Sequence, residues 1–492
     1  MEFAALVLFL VLYYLRPQEW FPLIGMIKPV QLVMLIGLIS LLNRPRGLRG
    51  KDILRSPQDW MILFYFLWIF ITSPSKIKTI AEFEIHIVTY LVVSQVLVNT
   101  RLIRKFLHAW AILILIVTTL ALLGYYDIDP LHLESKSKIE GILKGRLALN
   151  LTIFRNPNAL AHSILPMFPM FFFLLFWKRL LGKAWIVLFI IPAWCIYLTE
   201  SKGAFLSGLA TLVVTLTFGR PKPVQVLIFF FAVTIGYSAI YKLPRMNELA
   251  SSKTDPAIQG RVAALRFGLK SMREFNFPNG IGAGNFISAF TRAEGYSKAA
   301  HNAYNANGAE LGPVGLFLFV GILYCCARTL VSAKTANVEE ERVRRILFSM
   351  LAAYAVSSWM VDFGYRTTFF MLVATCGAFH RHMNGTSRQI DEEVAAEDER
   401  KKLPHFRRIL LPKPSLPPVP VMQMTPSPAG MPVLEKVPTS AMAMRILPKA
   451  EEIEAPTFGT ISWNRIGILD IAIMIVLRYA AEAYWSHLIK TM

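Results

Sequence analysis

Apolar residues run unbroken for long stretches of this chain, and polar residues gather in the gaps between them. The runs fall near 3–15, 22–42, 59–73, 83–99, 106–126, 158–177, 184–199, 203–218, 223–242, 307–327, 345–361 and 366–380. A helix of about 20 apolar residues crosses a bilayer, so the pattern predicts an all-α, polytopic integral membrane protein with about 12 transmembrane helices. Alternate gaps are basic: Arg44, Arg46, Arg49, Lys51 and Arg55; Arg101, Arg104 and Lys105; Lys178, Arg179 and Lys183; Arg220 and Lys222; Arg328, Lys334, Arg342, Arg344 and Arg345. The positive-inside rule assigns these loops and both chain ends to the cytoplasm. Two long connections, 127–157 and 243–306, then fall on the opposite side. Within the longer one, Val262, Leu265, Leu269 and Met272 recur at helical spacing while Arg266, Lys270 and Arg273 mark another face. That predicts an amphipathic helix lying at the outer membrane surface.

Beyond residue 382 the pattern changes. Asp391, Glu392, Glu393, Glu397, Asp398 and Glu399 form an acidic cluster, and 12 of the 29 prolines fall between Pro404 and Pro456. Such a stretch buries no core and is expected to be disordered, partly polyproline II. Pro414-Ser-Leu-Pro417 fits a P-x-x-P ligand for a protein partner, a weak match in so proline-rich a background. The last run, Ile466 to Tyr484, holds Asp470, Arg478 and Glu482, which favours a membrane-surface helix over a thirteenth span. The domains read as a membrane domain (1–382, its outer loop at 243–306), a charged, Pro-rich cytoplasmic tail (383–460) and a C-terminal amphipathic or membrane-associated helix (461–492).

Composition agrees with this reading. Hydrophobic residues make up 54% of the chain and charged ones 17%, against about 25% charge in soluble domains, which excludes a soluble enzyme. The net charge of +20 would point to nucleic acid in a soluble protein, but here the basic residues sit in short loops and no nucleic-acid partner is expected. Cys195, Cys325, Cys326 and Cys376 lie inside apolar runs without C-x-x-C spacing, so neither a disulfide framework nor a zinc site is predicted. The start of the chain lacks a basic n-region and an A-x-A site, so its first run is expected to be retained as a span.

The densest polar signal is Gly280-Ile-Gly282-Ala-Gly284-Asn285-Phe286, then His301-Asn302-Ala-Tyr304, then Glu310-Leu-Gly312-Pro313-Val-Gly315. Such glycines allow tight turns and expose amides to anions, and without a strand-to-helix context they do not support nucleotide binding. Together with Gly260-Arg261, Phe154-Arg155-Asn156-Pro157-Asn158 and Thr199-Glu-Ser201-Lys202-Gly203, these segments resemble the O-antigen ligase and polymerase family of bacterial inner-membrane glycan transferases. The resemblance spans about 145 to 325.

The resemblance implies transfer of a glycan from undecaprenyl diphosphate to a glycolipid, glycan or protein acceptor at the periplasmic face, with no cofactor and no metal. Diphosphate requires cations, and arginine binds it through paired hydrogen bonds. Arg155, Lys202, Arg261, Arg266 and Arg366 are all placed on the outer side by the topology. Arg261 stands where the family carries its phosphate-binding arginine; Lys202 stands where arginine is more usual, and each of the five has an alternative reading as an interfacial anchor or ion-pair partner. His301 matches the family's essential histidine and serves either as a base toward an acceptor hydroxyl or as a phosphate contact. Asn302, Tyr304, Asn158 and Glu310 are possible acceptor or cavity residues, Glu310 alternatively a helix cap. Glu200 neighbours Lys202 as an ion-pair candidate. Asp127-Ile-Asp129 imitates the D-x-D of metal-dependent glycosyltransferases, but three residues carry little weight. His86, His108 and His162 fall in apolar runs, where packing is the default, although His162 follows Asn158 by one helical turn and is placed to line the same cavity. A repeat-unit polymerase, a protein O-glycosyltransferase, or a flippase or transporter for a lipid-linked solute are the competing functions. The absence of internal repeats and the collection of polar residues in outer loops favour an enzyme over a transporter.

Overall fold

The computed structural model describes residues 2–43, 53–129, 131, 134–137, 144–177, 187–240, 256–274, 277–385 and 458–491. The acidic and proline-rich stretch, expected to be disordered, lies outside them, as do residues 241–255 of the longer outer connection. Each apolar run becomes helix: α1 (Glu2–Tyr14), α2 (Pro29–Leu42), α3 (Pro57–Thr72), α4 (Lys76–Val96), α5 (Thr100–Tyr125), α6 (Pro157–Phe176), α7 (Val187–Leu198), α8 (Lys202–Thr217) and α9 (Lys222–Ile240). The outer connection supplies α10 (Pro256–Glu274) and α11 (Phe286–Glu294), followed by α12 (Ala303–Ser332), α13 (Val338–Ser357), α14 (Thr367–Met383) and a C-terminal α15 (Ile468–Thr491). Polar residues in the gaps start these helices. Ser56 and Asp59 form a capping box for α3, and Asn99, Asn156, Ser201, Asn302 and Asn337 each accept a backbone N–H bond at a helix start.

The molecule is a helical membrane protein. Among the described residues, α5, α6 and α12 are long and apolar enough to cross a membrane. Large apolar side chains face outward in rows, including Leu32, Leu35, Ile36 and Ile39 on α2 and Phe229, Phe230 and Phe231 on α9. Water penalises such patches and hydrocarbon does not. The four cysteines are free and buried.

Two expectations change in detail. The run 22–42 is broken: Pro22–Met26 forms one short turn of helix, Lys28 is left-handed, and α2 starts at Pro29. Proline withholds an N–H and forces the residue before it out of the helical region. Helix α13 begins at Val338, well before the apolar run, because its first turns are ion-paired internally, Glu341 to Arg344 at 2.7 Å and to Arg345 at 2.6 Å. The C-terminal stretch packs along α12 in the same compact unit as residues 1–385. A short antiparallel pairing of Ala333–Lys334 with Thr460–Ile461 leads into it.

Candidate functional site

The site is organised by a break in α12. Gly312 has a non-helical backbone (φ 68°, ψ −169°) and Pro313 follows it. Proline offers no N–H to the carbonyl of Ala309, and the turn at Gly312 removes the partners of the next carbonyls. The glycine-rich segment answers this deficit. Ile281 donates its N–H to Ala309 O at 3.0 Å and Gly282 to Glu310 O at 2.8 Å, while Trp68 Nε1 of α3 donates to Leu311 O at 2.8 Å. The close approach explains the glycines: at Gly280 (φ 75°) a Cβ would come within 2.6 Å of three backbone atoms of residues 309–312. The anion-holding role allowed for these amides is therefore filled in part by α12 itself.

Glu310 joins the same construction. Its buried carboxylate accepts the N–H of Phe286 at 2.8 Å, capping the first turn of α11, with the Tyr365 hydroxyl beside it. Phe286 and Phe290 of α11 then pack on Phe267 of α10. The predicted apolar face of α10 is buried, with Val262, Leu269 and Met272 covered. It meets α12, α11 and α15, so protein covers the face that was expected to lie on lipid.

On this support stand Arg261 and His301. Gly260 lets the Lys298 ammonium pack against the backbone, where a Cβ would sit 2.8 Å from Nζ. The turn bearing His301 is held by Ala303 N donating to Ser358 O at 2.7 Å and by Tyr304 OH donating to Ala355 O at 3.0 Å. Asn302 caps α12 by accepting from Asn305 N at 3.0 Å. Burial, with the positive charges of Arg261 and Lys298 beside it, pushes the His301 imidazole down to about 4. It is thus neutral at physiological pH, with a lone pair free to accept a proton, and no side-chain hydrogen bond engages it among the described residues.

The upstream motifs arrive at the same place. Arg261 also acts electrostatically on His162, whose Nδ1 lies 2.8 Å from Ser357 Oγ. On the other side of that ring, a Cβ at Gly203 would lie 3.2 Å from His162 Nε2, so the Ser201-Lys202-Gly203 turn abuts the histidine. Buried Arg146 ties the remaining pieces, donating from Nε to Thr199 O at 2.7 Å and from Nη2 to Asn158 Oδ1 at 3.1 Å.

The structure therefore brings the segments that bear Asn158, Lys202, Arg261 and His301 to one place, with Asn302 and Tyr304 next to His301 at the start of α12 and Glu310 further along the same helix. Arg155 is exposed and lines a cleft of about 380 Å³ with Glu134, Lys136, Ser137 and Asn150. Arg266 is exposed on the Lys270 face of α10. Arg366 stacks over Phe363 at the start of α14. Asp127 pairs with Lys136 at 3.0 Å and Asp129 accepts from Glu134 N at 2.8 Å, so neighbouring residues occupy both carboxylates of the D-x-D match. Sequence reasoning passed over Arg146 and Lys298. Each lies in one of the two long connections outside the short polar motifs, and no local pattern singles it out.

A comparison with curated proteins finds no match. Residues 187–320, which contain Lys202, Arg261, His301 and Glu310, match the family model described as O-antigen ligase (Wzy_C).

Proposed function

We propose that this protein is a lipid-linked glycan transferase of the O-antigen ligase type, working at the periplasmic face of the bacterial inner membrane. The observation that carries the reading is the convergence of four separate segments, 156–162, 199–203, 260–261 and 301–302, on one cationic cluster with a neutral histidine in it. In this reading the shorter apolar helices, with their flanking residues, complete the crossings that α5, α6 and α12 make by length alone. The cluster then lies at the membrane surface opposite the basic loops.

Arg261, Lys202 and Lys298 hold the diphosphate of an undecaprenyl-linked donor, with Arg155 reaching the glycan side. An acceptor hydroxyl attacks the anomeric carbon from the face opposite the diphosphate. The new C–O bond forms as the bond to the phosphate oxygen breaks, inverting the centre, and the hydroxyl proton passes to His301 while the electron pair leaves with the diphosphate. Bound diphosphate raises the proton affinity of His301 from its depressed value toward the working range. Arginine and lysine charges supply the neutralisation that a metal supplies elsewhere, so the reaction is metal-independent and needs no cofactor.

The test is transfer from purified diphosphate-linked glycan to glycolipid, glycan and protein acceptors in proteoliposomes, with His301→Ala and Arg261→Ala at matched folding. Product from the wild type alone supports the reading, and the productive acceptor separates ligase, polymerase and protein glycosyltransferase. Carrier movement across the bilayer without product overturns it in favour of a flippase. Activity lost in chelator and restored by magnesium overturns the metal-independent step.

A further inference from the structure

The C-terminal helix α15 is turned inside out for a helix at a water surface. Its acidic residues face the protein: Asp470 and Glu482 are buried, and the exposed Lys490 stands in the last turn. Its apolar residues face away, with Ile468 89%, Leu469 70%, Val476 65% and Tyr479 59% exposed. A surface helix presents its charges to water and its apolar stripe to the protein or the lipid boundary; the reverse arrangement is that of a helix surrounded by hydrocarbon, whose ionisable groups turn inward to partners.

Those partners fix its direction. Near its start, Asp470 accepts from Tyr324 OH at 2.6 Å and lies 3.8 Å from Arg328, at the end of α12 remote from His301. One turn later Met474 packs against Gly321. Near its far end, Glu482 binds Arg273 Nε of α10 at 2.6 Å and Arg478 Nη2 at 2.9 Å, and Trp485 packs on Trp359 in the turn that also holds Ala303. Helix α15 therefore runs antiparallel to α12, from the end bearing Arg328 and Lys334 to the end bearing His301. From Asp470 to Trp485 the rise is roughly 22 Å at about 1.5 Å per residue, most of the hydrocarbon thickness.

We propose that α15 is a further membrane crossing that carries the C-terminus to the same side as the candidate site, and that Glu482 on it is a positioning residue. Through Arg273, Glu482 fixes α10 and with it Arg261. This reverses the sequence-based assignment of the C-terminus to the cytoplasm. The crossing stands on the geometry alone; the positioning role rests on the transferase reading.

Two measurements test it on the full-length chain. Single substitutions Thr491→Cys, Ser297→Cys and Ala336→Cys are labelled with a membrane-impermeant maleimide in spheroplasts before and after permeabilisation; the native thiols are buried. Residue 491 is expected to label under the same condition as residue 297 and opposite to residue 336. Labelling together with residue 336 overturns the crossing. In proteoliposomes, Arg273→Glu and Glu482→Arg alone are expected to lower transfer about tenfold through a higher donor KM, because two like charges then face each other and displace α10 with Arg261. The double exchange, Arg273→Glu with Glu482→Arg, is expected to restore most of it. Single variants that transfer like the wild type, or a double variant no better than the singles, overturn the positioning role. A wild type that transfers nothing overturns the transferase reading, while the labelling result still decides the crossing.

Discussion

His301 meets two demands at one position. Its backbone is left-handed (φ 51°), a conformation that histidine tolerates better than most residues but that is held only by its surroundings. Here the bonds of Ala303 to Ser358, just after α13, and of Tyr304 to Ala355, in its last turn, supply the hold. Its side chain, pushed down to about 4, is neutral at pH 7 in the free enzyme. The acid limb of kcat/KM, which reports the free enzyme, is therefore expected near pH 4 to 5, whereas the limb of kcat lies higher because bound diphosphate raises the group; a common limb near 6.5 in both profiles contradicts this. The stability effect has a definite sign. The unfolded chain takes up a proton near pH 6.5 and the folded one does so only near 4, so this contribution to stability is full above 6.5 and is lost as the pH falls toward 4. Gly312 is the second sensitive residue. A Cβ there would overlap the Pro278 carbonyl, at positive φ. Gly312→Ala is expected to cost about 2 kcal/mol or more, read as a lower midpoint in thermal unfolding in detergent.

Between elements, the broken helix α12 and the donors around it form one unit. Trp68→Phe keeps the packing but leaves Leu311 O without its donor; an unsatisfied buried carbonyl costs about 1 to 3 kcal/mol, and the thermal midpoint should fall accordingly. Arg146 joins α6 to the turn before α8 through two differently directed bonds. Arg146→Lys retains the charge but lacks the fork that makes both, so it should lose kcat/KM for transfer nearly as severely as Arg146→Ala, on the order of tenfold. If lysine restores activity fully, charge and not geometry is what the position supplies. The helices themselves were legible because each apolar run and each Asn or Ser cap is a local feature. The links between them were not, since the partners of Arg146 and Trp68 are as much as 243 residues away in sequence.

At the scale of the whole molecule, sequence by itself determined the membrane class, the helix positions and most of the cluster. Hydrocarbon cannot hydrogen-bond a backbone, so an apolar run in lipid has to satisfy its own N–H and C=O groups as helix, and that requirement is readable from the run alone. Arg261, Lys202 and His301 were legible for a similar reason, because each sits in a short polar motif set apart from the apolar background. Only the tertiary structure showed that Arg146 and Lys298 stand among these motifs, Arg146 bonded to Thr199 and Asn158, and Lys298 against Gly260 and beside His301. It also decided the course of α15. Three charges in an apolar run read as a surface helix when their partners are unknown. The crossing proposed above rests on the meeting of Asp470 with Tyr324 and of Glu482 with Arg273, because a charge is tolerated away from water only where an opposite charge or a donor already stands, and where those stand is a property of the assembled bundle.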